Sequence, residues 1–219
     1  MNSTGVRMRS DEVFQALLKT DRPGRPGLDL DRLQEICDLD GFGQPPRHEI
    51  YKAVLAMSGQ DPSRRVEGLR EEGLSKLVSA EAAEEALSRA VAFLQASPVS
   101  AAPGCGFPCF RLIPYPLVFG LLARWFHVFP DPNPLLRREL SQWIWRGVAT
   151  GTHERTLVSR IREQFRLIDG DDAARAAAAL HQFVGEPSRV DWELTRFSAQ
   201  NARGRVELLA LLSLSPRYR

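Results

Sequence analysis

Residues 116–128 read PLVFGLLARWFHV. Pro116 stands where the first turn of a helix tolerates proline, because the missing N–H would have no intrahelical partner there. From Leu117 to Val128 the pattern is apolar nearly all round, as in a helix enclosed on every side by others. Arg124 and His127 interrupt the apolar stretch Leu117–Phe129, which is too short to span a bilayer. The reading is a central core helix, and it requires a shell of amphipathic helices to cover it.

That shell can be traced in both directions. Upstream, Ser79 to Ala96 is the most legible helix. Ala83, Leu87, Ala90, Val91 and Leu94 form one stripe, Glu81, Glu84 and Glu85 lie near the N-terminus where the helix dipole favours them, and Glu85–Arg89 is an i,i+4 pair. His48 to Met57 carries Ile50, Val54 and Leu55 at helical spacing, and Asp29 or Asp31 starts a short helix through Leu33 and Ile36. Ser10 and Asp11 open the first helix, with Val13, Phe14, Leu17 and Leu18 at helical spacing. Downstream, Asn133-Pro134 is a cap followed by proline at the first helical position, and Leu136, Leu140, Trp143 and Ile144 make the buried face of a helix ending near Gly151. Thr156–Ile168, an Ala-rich helix from Asp171 and Asp172 to Val184, and helices near Asp191–Ala199 and Arg203–Leu214 complete the series. Ser97–Pro108 reads as an irregular Gly/Pro/Ala loop, and Phe110-Arg111-Leu112-Ile113 is the only short strand candidate. The expected fold is all-α, an irregular, orthogonal array of about nine helices in a single domain over 1–219, with a subdivision into 1–97 and 110–219 available around the Gly/Pro loop.

Composition narrows the function classes. The chain has 219 residues and a formal net charge of +2, so no whole-protein attraction to nucleic acid or membrane is expected and any basic surface must be local. Its three cysteines, Cys37, Cys105 and Cys109, and the lack of a secretory apolar segment point to a reducing, cytoplasmic setting. Cys105 and Cys109 flank Gly-Phe-Pro, but a metal would need more ligands than they offer. His48, His127, His153 and His181 are scattered without a ligand or catalytic spacing. Asp169-Gly170-Asp171-Asp172 serves as a helix stop and start. No catalytic residue, metal site or cofactor is assigned.

Two features bear on recognition. Trp143 lies on the apolar stripe of its helix and Trp145 well round from it; a core or inter-element contact is favoured for both over base stacking. Arg155, Arg162 and Arg166 recur at i, i+7 and i+11 opposite Ile161 and Phe165, Arg146 lies near the start of that face, and Arg203 and Arg205 begin the last helix. Such a set suits phosphate contact and is the candidate nucleic-acid-binding surface, weighed against a solvated helix face interrupted by Glu163.

Several segments, in order, resemble the helical middle region of the GmrSD-type restriction endonucleases, a prokaryotic phage-defence family. Asn2-Ser3-Thr4-Gly5, Met8, Asp11-Glu12-Val13-Phe14 and Ala16-Leu17 are similar to its "N-S-T-G … M … E-V-F-x-A-L" junction. His48–Ala56 is similar to an "L-x-x-A-L-L-A" helix, Ile113-Pro114-Tyr115 to an "L-P-Y" turn before an apolar helix, LSQWIWRG at Leu140–Gly147 to "L-x-x-W-F-W-R", and Asn201-Ala202-Arg203 to the start of the family's last helix. The sequence contains neither the Asp-Gly-Gln-Gln-Arg motif of the family's nucleotide-dependent domain nor its HNH-type nuclease domain. The resemblance therefore implies a fragment or subunit in which Asn2–Gly5 is the exit turn of another domain. The expected role is a non-catalytic helical module that contacts the DNA backbone or couples a sensor to a nuclease. A protein-interaction scaffold and an enzyme with an unrecognised site are the alternatives. DNA and a separate sensor or nuclease domain are the expected partners, and no membrane is involved.

Overall fold

A computed structural model describes residues 10–19, 27–63, 75–153, 158–185, 198 and 200–214. Among them the chain forms nine α-helices and no strand: α1 (Ser10–Leu18), α2 (Leu30–Ile36), α3 (Arg47–Met57), α4 (Ala80–Gln95), α5 (Leu117–Val128), α6 (Pro134–Thr150), α7 (Val158–Leu167), α8 (Ala173–Val184) and α9 (Ala202–Ser213). The helix expected near Asp191–Ala199, together with Asn2–Gly5, Met8 and Arg155, lies outside the described residues. No helix of the described residues is long and apolar enough to cross a membrane.

The starts of the helices follow from their capping side chains. Asp29 accepts from the Asp31 N–H, Ser79 from Ala82, Asn133 from Leu136, Asp172 from Arg175 and Asn201 from Gly204. Asp29 also receives Gln15 at 2.6 Å and Lys19 at 3.0 Å, which ties α1 to the start of α2. Gly151 ends α6 in the left-handed conformation that a C-cap glycine supplies without a Cβ penalty.

α5 is the centre. It packs against α3 on one side and α4 on another; α2 bridges α3 and α4, α1 lies on α3, α8 packs on α6, and α7 rests on α8 and α5. Val118, Phe119, Leu121, Leu122, Trp125 and Phe126 of α5 are all buried, each contributing roughly 1.5–3 kcal/mol by its removal from water. Phe126 meets Phe93 of α4 at 5.6 Å, and Phe119 meets Phe110 edge-on at 5.5 Å.

Arg124 does not reach solvent. It is 8 % exposed; its Nε donates to the carbonyls of Phe165 and Ile168, both at 2.9 Å, and its Nη1 to that of Ala56 at 2.7 Å. Those carbonyls belong to the C-terminal ends of α7 and α3, where a helix has acceptors without donors and a negative dipole end. One cation thus joins three helices. The strand candidate Phe110–Ile113 is instead a 3-10 turn, Phe110–Leu112, with Ile113 N–H closing on Phe110 O. Phe110 N–H donates to Phe42 O at 2.7 Å and its ring packs edge-on against Phe42, so both backbone and side chain are engaged without a partner strand.

Candidate functional site

The segment read as an irregular loop is held as tightly as a helix. Between α4 and α6, residues 103–107 form an extended strap. Its amides face α4: Cys105 N–H donates to Phe93 O at 3.0 Å, Phe107 N–H to Leu94 O at 2.9 Å and Gly106 N–H to Ala96 O at 2.9 Å. These are carbonyls that the end of α4 leaves without intrahelical donors. Its carbonyls face α6. Arg137 Nε donates to Pro103 O at 2.9 Å, Ser141 Oγ to Gly104 O at 2.8 Å and Trp145 Nε1 to Cys105 O at 3.2 Å. The donors are four residues apart, hence on one face of the helix, and they meet three consecutive strap carbonyls. Arg137 also lies 5.0 Å over the Phe93 ring, and Trp145 packs against Phe107 at 5.0 Å. Trp145, off the apolar stripe of its helix, has found its partner in the strap. Because Ser141 and Gly104 are buried, Ser141→Ala leaves the Gly104 carbonyl without a donor. It is expected to lower stability by about 1–3 kcal/mol in urea unfolding; equal midpoints for the variant and the wild type would show the bond to be idle.

The strap forms one wall of a groove of about 1170 Å³. The end of α6 supplies the second wall with Trp145, Val148 and Thr150, and α9 the third with Val206, Leu209 and Leu212. α9 is moored at its N-terminal end. Gly204 sits so close to the Ser198 carbonyl that a Cβ would overlap it, and Arg205 Nη1 donates to Ile113 O at 2.9 Å. Toward its C-terminus α9 is bare: Leu211, Leu212 and Leu214 are exposed, as is Val99 beyond the strap. Among the described residues the groove has one carboxylate, Glu207, which is 2 % exposed and accepts from Arg203 Nε at 3.3 Å.

The candidate nucleic-acid residues are distributed over three helices: Arg146 on α6, Arg162 and Arg166 on α7, Arg203 and Arg205 on α9. Arg162 and Arg166 are exposed one turn apart, but Arg162 Nε and Nη2 both reach Asp61 Oδ2 at 2.6 Å. Burial pushes the Asp61 carboxyl up, while hydrogen bonds from Ser63 and Arg162 hold it below the usual carboxylate range, so the charge of Arg162 is already matched. Glu163, Asp169, Asp171 and Asp172 are exposed on or just after the same helix. Arg205 is engaged with backbone carbonyls and Arg203 with Glu207. Arg146 is half-buried.

Burial pushes the Cys37 thiol up to about 12 and the Cys105 thiol above its ordinary value as well. Both are therefore protonated at neutral pH, the state in which a thiol is a poor nucleophile. His48 meets Glu49, and His181 Nε2 lies 2.9 Å from Glu139 O. Burial, then the charge of Arg124, holds His127 below its usual value. No group of three or more His, Cys, Asp or Glu arranged to hold a metal occurs among the described residues. Comparison of the chain with protein-family models, curated proteins and solved structures finds no match, so its functional reading rests on this geometry.

Proposed function

We propose that the chain is a non-catalytic, cytoplasmic helical adaptor that holds a segment of a partner protein in the groove between the strap, α6 and α9. The observation that carries this reading is the groove itself, apolar on three walls and continued by the exposed leucines of α9. Contiguous exposed apolar surface of this kind marks interaction sites. Its carboxylate Glu207 is paired with Arg203, and its Cys105 thiol is protonated, which favours binding over chemistry. In a restriction system of the type the sequence resembles, the partner is a sensor or nuclease domain on a separate chain. DNA contact through the arginines is the weaker reading, because Arg162, Arg203 and Arg205 are already engaged within the chain.

The test is pairwise binding between the purified chain and the products of the adjacent genes. One product is expected to bind, and Leu212→Glu to weaken that binding at least about tenfold, as for a central interface residue. Leu212 is 43 % exposed, so the fold tolerates the change. Binding that ignores Leu212→Glu, or no binding by any product, overturns the reading. Duplex DNA affinity that falls steeply with salt and is lost in Arg162→Ala/Arg166→Ala, but not in Leu212→Glu, would put the DNA reading in its place.

A further inference from the structure

A buried imidazole with no hydrogen-bond partner among the described residues stands behind the groove. After Gly151 turns the chain back on α6, His153 lays its ring against Gly147. A Cβ at position 147 would lie 2.6 Å from the His153 Cε1 and closer still to Nε2. Trp143 packs on the ring edge-on at 5.4 Å and Tyr115 at 6.4 Å. The imidazole is 4 % exposed, and among the described residues neither ring nitrogen has a hydrogen-bond partner.

Two things follow from elementary chemistry. A neutral imidazole has one N–H donor and one acceptor, and burying both unmet is costlier than burying an apolar ring of the same shape. Packing alone therefore does not account for histidine at this position. Second, a protonated imidazole has two donors and a charge, and among the described residues no acceptor or anion meets its ring nitrogens. Among the described residues facing the ring, Trp143 and Gly147 come from α6 and Tyr115 from the segment before α5; of these three only Tyr115 titrates, and a phenol stays neutral in acid. Burial alone accounts for the depression of His153 to about 4, with no charged neighbour contributing.

The same slot is the backing of the groove. Tyr115, Val148, Thr150 and Gly151 line the groove, and each lies on an element that touches or directly precedes His153. We propose that His153 is an acid-operated latch: on taking up a proton the imidazole leaves its slot over Gly147, and the groove wall made by Tyr115 and the end of α6 changes shape with it. The neutral ring favours the closed wall. A group whose value in the closed form lies below its free value stabilises that form fully above the free value and loses ground as pH falls. With about 4 in the closed form and 6.5 free, the closed-to-open ratio falls tenfold per pH unit between those limits, about 300-fold in all. The latch concerns the shape of the groove and not its occupant, so it is testable without any partner and survives failure of the adaptor reading.

The experiment titrates the wild type and His153→Phe from about pH 7.5 to about pH 4, the range in which an imidazole switches. Tryptophan fluorescence, binding of anilinonaphthalene sulfonate and far-ultraviolet circular dichroism are followed together. The wild type is expected to change fluorescence and dye binding below pH 6.5 at constant helicity, and His153→Phe to show neither change. If the phenylalanine variant does not fold, histidine ring NMR of the wild type decides: the His153 resonance should move in step with that of Tyr115. Identical pH profiles for the two proteins, helicity lost in step with fluorescence, or a His153 titration that leaves Tyr115 unmoved would each overturn the latch.

Discussion

Arg124→Ala is expected to lower stability by about 3–5 kcal/mol, the range for a large buried side chain whose removal leaves polar groups stranded. The guanidinium donates to Phe165 O, Ile168 O and Ala56 O from the middle of α5, and of these Ala56 O also accepts from Gly59 N–H at 3.0 Å. The ends of α3 and α7 then present carbonyls to a cavity, and α7 loses its tie to α5. Arg124→Met separates volume from hydrogen bonding. It refills most of the space and supplies no donor, so it should recover only the cavity part of the loss. Arg124→Lys should also fall short, because one ammonium on a flexible stem cannot reproduce a planar fork aimed at two helix ends. Urea unfolding followed by circular dichroism measures all three. A methionine variant as stable as the wild type would mean that the three hydrogen bonds contribute nothing net.

Gly104→Ala is expected to cost about 4 kcal/mol, combining overpacking with lost strap bonds. A Cβ there would overlap the Phe93 carbonyl oxygen and lie 2.7 Å from Ala96 Cβ and 2.8 Å from Ala96 O. Backbone carbonyls in a helix cannot step aside, so the strap must lift from α4. Lifting it breaks the Cys105–Phe93 bond and pulls Gly104 O and Cys105 O away from Ser141 and Trp145. Gly120 is the contrasting case. It lies inside α5, and a Cβ there meets Phe165 Cζ at an ordinary 3.6 Å. Gly120→Ala is therefore expected to raise stability by about 0.5–1 kcal/mol, the helix-propensity gain. Thermal unfolding of the two variants side by side tests the pair, and a shift of the same sign in both would refute the steric argument.

What was legible in the sequence was local. The all-α fold, the central place of residues 117–128 and the caps at Asn133 and Asp172 follow from patterns that close within a few residues, and the structure has them. What was not legible depends on partners far along the chain. Arg124 read as a flaw in an apolar stretch because its acceptors lie at Ala56, Phe165 and Ile168. Arg162 read as free on a polar helix face because Asp61 is 101 residues away. The strap read as irregular because no internal period describes a segment that bonds outward on both edges. One local signal did exist. Arg137, Ser141 and Trp145 recur every four residues, and a tryptophan off the apolar stripe needs a second surface to pack on. Of the groove, the apolar α9 was legible; the strap that forms its opposite wall was not.

The strap also sets where this chain can change length. Residues 97–102 form a turn exposed at its tip, where Ser100 Oγ donates to Ser97 O and Ala102 O, so an insertion at the tip lengthens it, while Ser97 at its base is tied to the strap by Gly104 N–H, which donates to Ser97 O at 3.4 Å. Residues 103–107 allow neither insertion nor deletion. The amides of residues 105–107 are matched to carbonyls at the end of α4, and the carbonyls of residues 103–105 to every fourth residue of α6. A slip of one residue would misalign both edges at once. Variation in length between α4 and the strap is confined to the tip, and the spacing of α4 and α6 is set there by five residues that have no regular secondary structure.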